Sequence, residues 1–173
     1  MQTSKSPPPQ FKFDNKPHLL IVEARFYEDI SDHLFAGAQE VLDANEASYD
    51  RLEVPGSLEI PAAINFAVKA LDYDPIRRRF DGYIALGCVI KGETRHDEIV
   101  GNGSARGLQE LALRSVLAIG NGILTVDSHE QALARATVDG HNRGGAAAAA
   151  CLRMIEIKQH FRLMPKRRWV AKS

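Results

Sequence analysis

At 173 residues and 45% hydrophobic composition, the chain has room for one domain with a sizeable core and too little for two. Lys plus Arg and Asp plus Glu both total 22, so the overall charge gives no support for a nucleic-acid or membrane-surface partner. Cys88 and Cys151 lie far apart in apolar or alanine-rich surroundings without metal-ligand spacing, which argues against a zinc site and reads as core thiols in a reducing compartment.

Residues 1–17, MQTSKSPPPQFKFDNKP, carry a proline run and no apolar signal-peptide core, which predicts a flexible arm and a cytoplasmic protein. No apolar stretch approaches the roughly 20 residues that a membrane-spanning helix needs. His18–Ala24, with its LLIV core, reads as a buried strand, and Arg25 and Phe26 lie just beyond its end. Ile30, Leu34, Phe35, Ala38, Val41 and Leu42 then place one apolar stripe on a helix. Ser48–Val54 reads as a second strand. It runs into VPGSLEIP, residues 54–61, where two prolines and a glycine constrain the connection and Glu59 opens the next helix. That carboxylate has two readings: it favours the helix dipole, worth about 0.3–1 kcal/mol, or it also faces the mouth of the sheet and binds ligand hydroxyls.

DYDPIRRRF, residues 72–80, breaks the periodicity and reads as a solvated loop. Residues 83–90, YIALGCVI, are almost uninterrupted apolar sequence, the pattern of a central strand covered on both faces. The loop after it gathers Gly92, Glu93, Thr94, Arg95 and His96 at what would be the carboxyl end of that strand, where ligands bind in open α/β sheets. Gly92 permits close backbone approach to an anion, Thr94 adds a hydroxyl donor, and His96 supplies an imidazole, the side chain suited to moving protons near neutral pH. A merely solvated surface loop is the competing reading.

Leu108, Leu111, Ala112 and Val116 suggest a third helix, and residues 118–126, with GILTV, a fourth strand. Asp127-Ser128-His129-Glu130 resembles the polar start of a helix, with Ser128 or Asp127 as cap. Arg135 and Arg143 follow. The alanine run at residues 146–150 starts a long helix through Leu152, Ile155 and Phe161, ending before Pro165. Residues 163–173 read as a basic tail, with an interaction segment as the alternative, which leaves a single domain at residues 18–162. Four strands alternating with helices predict an α/β, three-layer α/β/α sandwich of flavodoxin-like type with a mostly parallel four-stranded central sheet.

Nucleotide motifs fail on this scaffold. Residues 87–93 begin like a P-loop but lack Gly-Lys-Ser/Thr, and residues 101–107 are GxGxxxG, one residue too long for the dinucleotide fingerprint. His129-Glu130 lacks the second histidine of a metalloprotease helix, and there is no G-x-S-x-G elbow.

Four blocks in order make the chain resemble the lumazine synthase family: Arg25-Phe26; VPGSLEIP; LGCVIKGETRH at residues 86–96; and GILTVDSHEQALARA at residues 122–136 followed by Asn142-Arg143-Gly144. They cover residues 18–161. The resemblance implies condensation of 5-amino-6-ribitylamino-uracil with 3,4-dihydroxy-2-butanone 4-phosphate to 6,7-dimethyl-8-ribityllumazine, phosphate and water, with no metal or organic cofactor. It assigns His96 to acid/base work, and Gly92, Glu93, Thr94 and Arg135 to the phosphate. It assigns Phe26 to stacking, and Ser57, Leu58, Glu59, Ile60, Cys88, Val89, Ile90, Asn121 and Arg143 to the pyrimidine and its ribityl chain. It further implies a site shared between neighbours of a homopentamer, or of a multiple of five, with Asn121, Arg135 and Arg143 supplied by the partner.

Four positions depart from the family pattern. Leu58 stands where Phe is frequent, Asp97 where an aromatic follows the histidine, Asn121 where an aromatic covers the pyrimidine, and Ala134 where Glu precedes Arg. Each lost aromatic contact weakens stacking by about 0.5–1.5 kcal/mol without removing the chemistry. Two other functions compete: a flavin- or lumazine-binding protein without useful turnover, and a self-assembling particle with a vestigial pocket. Neither requires His96 together with Arg135.

Overall fold

The computed structural model describes residues 7–74, 76 and 79–164. Nine elements alternate along it: β1 His18–Ala24, α1 Glu28–Ala44, β2 Ser48–Val54, α2 Glu59–Tyr73, β3 Gly82–Ile90, α3 His96–Arg114, β4 Ile119–Val126, α4 His129–Ala136 and α5 Arg143–His160. The sheet order is β2-β1-β3-β4 and every pairing is parallel. The α/β/α sandwich foreseen from the alternation is therefore present, with a wholly parallel sheet.

Side-chain alternation divides the core. Leu19 and Ile21 of β1 and Ile84 and Leu86 of β3 pack with Leu34 and Ala38 of α1, Ala132 of α4 and Cys151 and Leu152 of α5. Leu20, Val22, Tyr83 and Ala85 point the other way, onto Ile60 and Ile64 of α2 and Leu108 of α3. A strand whose successive residues face opposite layers and are all buried is apolar wherever its side chains lack polar partners, which is why residues 19–22 of β1 and residues 83–90 of β3 stand out as apolar runs. β2 is a largely exposed edge strand.

Two helix starts differ from the sequence reading. α3 begins at His96, so the histidine is the first residue of the helix rather than part of the loop, and the whole GxGxxxG stretch lies inside α3. Its glycines are packing devices: a Cβ on Gly103 would stand 2.9 Å from Leu58 Cδ2, and one on Gly107 2.9 Å from the Pro61 ring. α5 begins at Arg143, three residues before the alanine run. Asn142 caps it from a left-handed conformation (φ 46°), its side-chain oxygen accepting the Gly145 N–H at 3.0 Å. Gly144 then lies directly on the backbone of α1, where a Cβ would meet the Leu34 carbonyl.

The amino-terminal segment, read from sequence as a flexible arm, makes specific contacts over its described part. Asn45 accepts the Phe11 N–H at 2.9 Å and donates to the Pro9 carbonyl at 2.9 Å, while Glu156 and Gln159 of α5 accept the Lys12 and Asp14 N–H groups. Phe11 and Phe13 pack against the α1/α5 side of the core. The Glu156 carboxyl is held below its usual range, first by the Lys12 N–H and then by Arg153. A depressed carboxyl contributes above its unfolded value and loses that contribution as pH falls through its folded one, so this anchor is intact at neutral pH and released only in acid. Glu156→Ala is expected to speed proteolysis within residues 7–17 at pH 7 by roughly 2- to 10-fold, the effect of one lost hydrogen bond on a local opening. Unchanged cleavage would show that the Asn45, Gln159 and aromatic contacts hold the arm without Glu156. The arginine run and the basic tail fall on Arg77, Arg78 and residues 165–173, outside the described residues.

Candidate active site

Because all four strands are parallel, their carboxyl ends share one edge, and the loops at residues 25–27, 55–58, 91–95 and 127–128 lie there together. Phe26 leaves β1 with its ring 76% exposed, touched edge-on by Tyr27 at 5.0 Å between centroids. An open cleft of about 410 Å³ beside it is lined by Arg25, Phe26, Glu53, Val54 and Pro55. After β2, Ser57 turns inward and is 5% exposed, its hydroxyl seated where Gly87 of β3 has no side chain. Leu58 packs towards Gly103, Glu59 opens α2 and is exposed, and Ile60 is fully buried. Glycine at residues 87, 103 and 107 thus lets the 57–61 turn sit close against β3 and α3.

Cys88, Val89 and Ile90 end β3 in register with Leu124, Thr125 and Val126. Burial pushes the Cys88 thiol up to about 11, so it is neutral near pH 7 and shapes the floor rather than acting as a nucleophile. Gly92, Glu93 and Thr94 follow, all exposed, and a Cβ on Gly92 would meet nothing within 4 Å. The Thr94 hydroxyl accepts the His96 N–H at 3.4 Å, and Arg95 gives α3 no side-chain cap. The first turn of α3 therefore presents backbone N–H groups beside a hydroxyl and an exposed imidazole, an arrangement that can take an anion and move protons next to it.

The remaining candidates are elsewhere. Asn121 is the third residue of β4, opposite Ala85, about 17 Å of strand below the carboxyl edge, and its side chain bends back to accept the Ile123 N–H. Arg135 occupies the last turn of α4, half-buried, with Nη1 donating to the Gln131 carbonyl at 3.0 Å. Arg143 opens α5, exposed, next to the Gly144 contact with the middle of α1. Among the described residues, no hydrogen bond or ion pair joins Asn121, Arg135 or Arg143 to Phe26, Ser57, Glu59 or His96. One chain thus gathers most of the candidates at the carboxyl edge and carries the other three on β4, α4 and α5. Among the described residues no three His, Cys, Asp or Glu side chains gather as a metal site, and no helix is long and apolar enough to cross a membrane.

Sequence reasoning missed two polar links at this edge. His129 Nε2 lies 2.9 Å from Asp29 Oδ2 and ties the start of α4 to the start of α1. Glu23, inside β1 and 3% exposed, is held by Arg25 and Arg51. A carboxylate in the run LLIVEA was the available signal, because a buried charge requires partners.

The family described as 6,7-dimethyl-8-ribityllumazine synthase matches residues 16–159. A 6,7-dimethyl-8-ribityllumazine synthase of Bartonella tribocorum is 58% identical over 146 residues, covering 84% of this chain and 93% of the relative. The protein of that name from Agrobacterium fabrum is 53% identical over 145 residues, 84% of this chain and 97% of the relative. In Rhizobium meliloti, 6,7-dimethyl-8-ribityllumazine synthase 1 is 54% identical over 144 residues, 83% and 93% of the two chains. A match over most of the chain at this identity, on a sheet that gathers the same blocks at one edge, shows that the chain belongs to the 6,7-dimethyl-8-ribityllumazine synthase family.

Proposed function

We infer that the chain is a transferase that condenses 5-amino-6-ribitylamino-uracil with 3,4-dihydroxy-2-butanone 4-phosphate, releasing 6,7-dimethyl-8-ribityllumazine, phosphate and water. The observation that carries this reading is the position of His96, which opens α3 immediately after Gly92, Glu93 and Thr94 at the carboxyl edge. In it, the ring of Phe26 stacks on the pyrimidine. Ser57, Leu58, Ile60 and residues 88–90 border its edge, and Glu59 accepts hydrogen bonds from the ribityl hydroxyls. The phosphate lies against the amides of residues 92–94, the Thr94 hydroxyl and the Arg135 fork.

Imine formation, phosphate elimination, tautomerisation and ring closure each move protons. His96, beside the phosphate loop, passes them between the amine, the carbonyl carbon skeleton and solvent. Much of the acceleration comes from holding the two substrates together, since well-oriented groups reach effective molarities of roughly 10⁵–10⁸ M.

The site is shared. Asn121, Arg135 and Arg143 lie on β4, α4 and α5, with no hydrogen bond or ion pair to the carboxyl-edge group among the described residues, so a pentamer or a multiple of five would bring them from one subunit to the carboxyl edge of the next. No nucleic-acid or membrane role enters this reading, and the two reduced, buried cysteines support a cytoplasmic setting.

Incubation of the purified protein with both substrates, following lumazine formation against the spontaneous background, tests the activity. His96→Ala should lower kcat by about 10-fold or more, at or below the usual range of roughly 10²–10⁴ for acid/base groups. Unchanged turnover at saturation would remove His96 from proton transfer, and no acceleration by wild type would leave a binding protein instead.

A further inference from the structure

Glu23 is a buried ionisable group for which this reaction has no use. It faces the α1 side of the sheet, and both its oxygens are engaged. Arg51 of β2 donates to Oε1 through Nε at 2.8 Å and Nη2 at 2.7 Å, and Arg25 donates to Oε2 through Nη1 at 3.3 Å. Arg25 then reaches Asp32 of α1, Nη2 to Oδ1 at 2.7 Å, and the Arg51 guanidinium lies 3.6 Å from the centroid of the Phe35 ring. The network therefore joins β1, β2 and α1 just below the cleft that Arg25 and Phe26 line.

Such a network is a poor device for stability alone, because well-packed apolar residues of similar volume usually serve as well or better. What it supplies is direction. Phe26 is too exposed for core packing to set its ring, and the aromatic contact that it makes is with its neighbour Tyr27. Its orientation follows from the backbone at residues 25–27. On one side that turn is fixed where the Tyr27 carbonyl accepts the Ser31 N–H at 2.9 Å; on the other, the anchored side chain is Arg25.

We propose that Glu23 is a positioning residue for Phe26: with Arg51 and Asp32 as further fixed points, it locks Arg25 and thereby the turn that presents the ring to the pyrimidine. The claim deepens the function given above and rests on its assignment of Phe26 to stacking. The Arg25–Asp32 pair stays charged at neutral pH. The Arg25 guanidinium is held above its usual value and the Asp32 carboxyl below its own, each first by their mutual hydrogen bond.

The experiment is a double-mutant cycle on the full chain, with the KM of each substrate measured separately. Phe26→Ala should raise KM for 5-amino-6-ribitylamino-uracil by about 10-fold and Glu23→Gln by about 5-fold, both within the range of one aromatic contact. Glu23→Gln should leave KM for the butanone phosphate within about twofold, a split that general destabilisation would not produce. In the Phe26→Ala background it should add less than about twofold, because there is no ring left to orient. Asp32→Asn loosens Arg25 from the solvent side without touching the core, and should repeat the pattern at about 2- to 4-fold even if Glu23→Gln fails to fold. Effects of Phe26→Ala and either brace variant that multiply, or equal rises in both KM values, would overturn the brace while leaving stacking in place. A Phe26→Ala enzyme with unchanged KM would overturn the stacking assignment, and the brace with it.

Discussion

Arg135→Ala should lower kcat/KM for the butanone phosphate by about 100- to 1000-fold and leave KM for the pyrimidine within about threefold. Two charge-assisted hydrogen bonds from one guanidinium, each near the lower end of the usual range at about 1.5–2 kcal/mol, account for that range at about 1.4 kcal/mol per factor of ten. The side chain is suited to the task. It is half-buried in the last turn of α4, and its Nη1 is tied to the Gln131 carbonyl, so the fork is held before any phosphate arrives. Less rotamer entropy is then lost on binding. Arg135→Lys retains the charge but not the fork and should recover only part of the loss. Inorganic phosphate should compete with the butanone phosphate in wild type, and much more weakly in Arg135→Ala. Equal phosphate inhibition of the two enzymes would take Arg135 out of the phosphate site.

The two central strands were legible because burial on both faces leaves little room for polar alternation. His18–Ala24 and Ser48–Val54 are bounded in the structure as the residue pattern predicts. β4 and β3 each differ at their first residue, within the fraying normal at element ends. Helix starts were harder wherever glycine intervened. Gly144 and Gly145 read as a loop, yet they begin α5, because bare backbone is what allows it to lie on α1. His96 read as loop because α3 has no side-chain cap from Arg95 and carries three glycines in its first twelve residues. At the site, the groups contributed by short loops were visible because VPGSLEIP and GETRH are contiguous. The brace on Glu23 was not, since Arg51 is 28 residues away and only strand pairing brings it near. Nor could periodicity show that Arg135 and His96 lie on helices of opposite layers. α4 packs with α1 and α5 on one face of the sheet and α3 with α2 on the other, and the layer that a helix joins cannot be read from local pattern.

The separation leads to the second large effect, loss and recovery of activity on mixing subunits. If Phe26, Glu59 and His96 of one chain meet Arg135 and Arg143 of the next, every interface in a ring joins one carboxyl-edge half to one half, the flank, that carries Arg135 on α4 and Arg143 on α5. That is a heterologous, head-to-tail contact, and closure at five gives each subunit a share in two sites. Chains carrying Glu59→Gln with His96→Ala retain an intact flank, and chains carrying Arg135→Ala retain an intact edge. Each homogeneous assembly should be nearly inactive. Dissociated, mixed in equal amounts and reassembled, they should regain about a quarter of wild-type activity, because an intact edge and an intact flank each occur with a probability of about one half. Native mass spectrometry on the same samples should give masses in multiples of five subunits and a binomial spread of the two chains. A fully active monomer would refute the shared site. So would mixed rings of the expected composition with no recovered turnover, since random assembly cannot avoid forming the intact interface that the model requires.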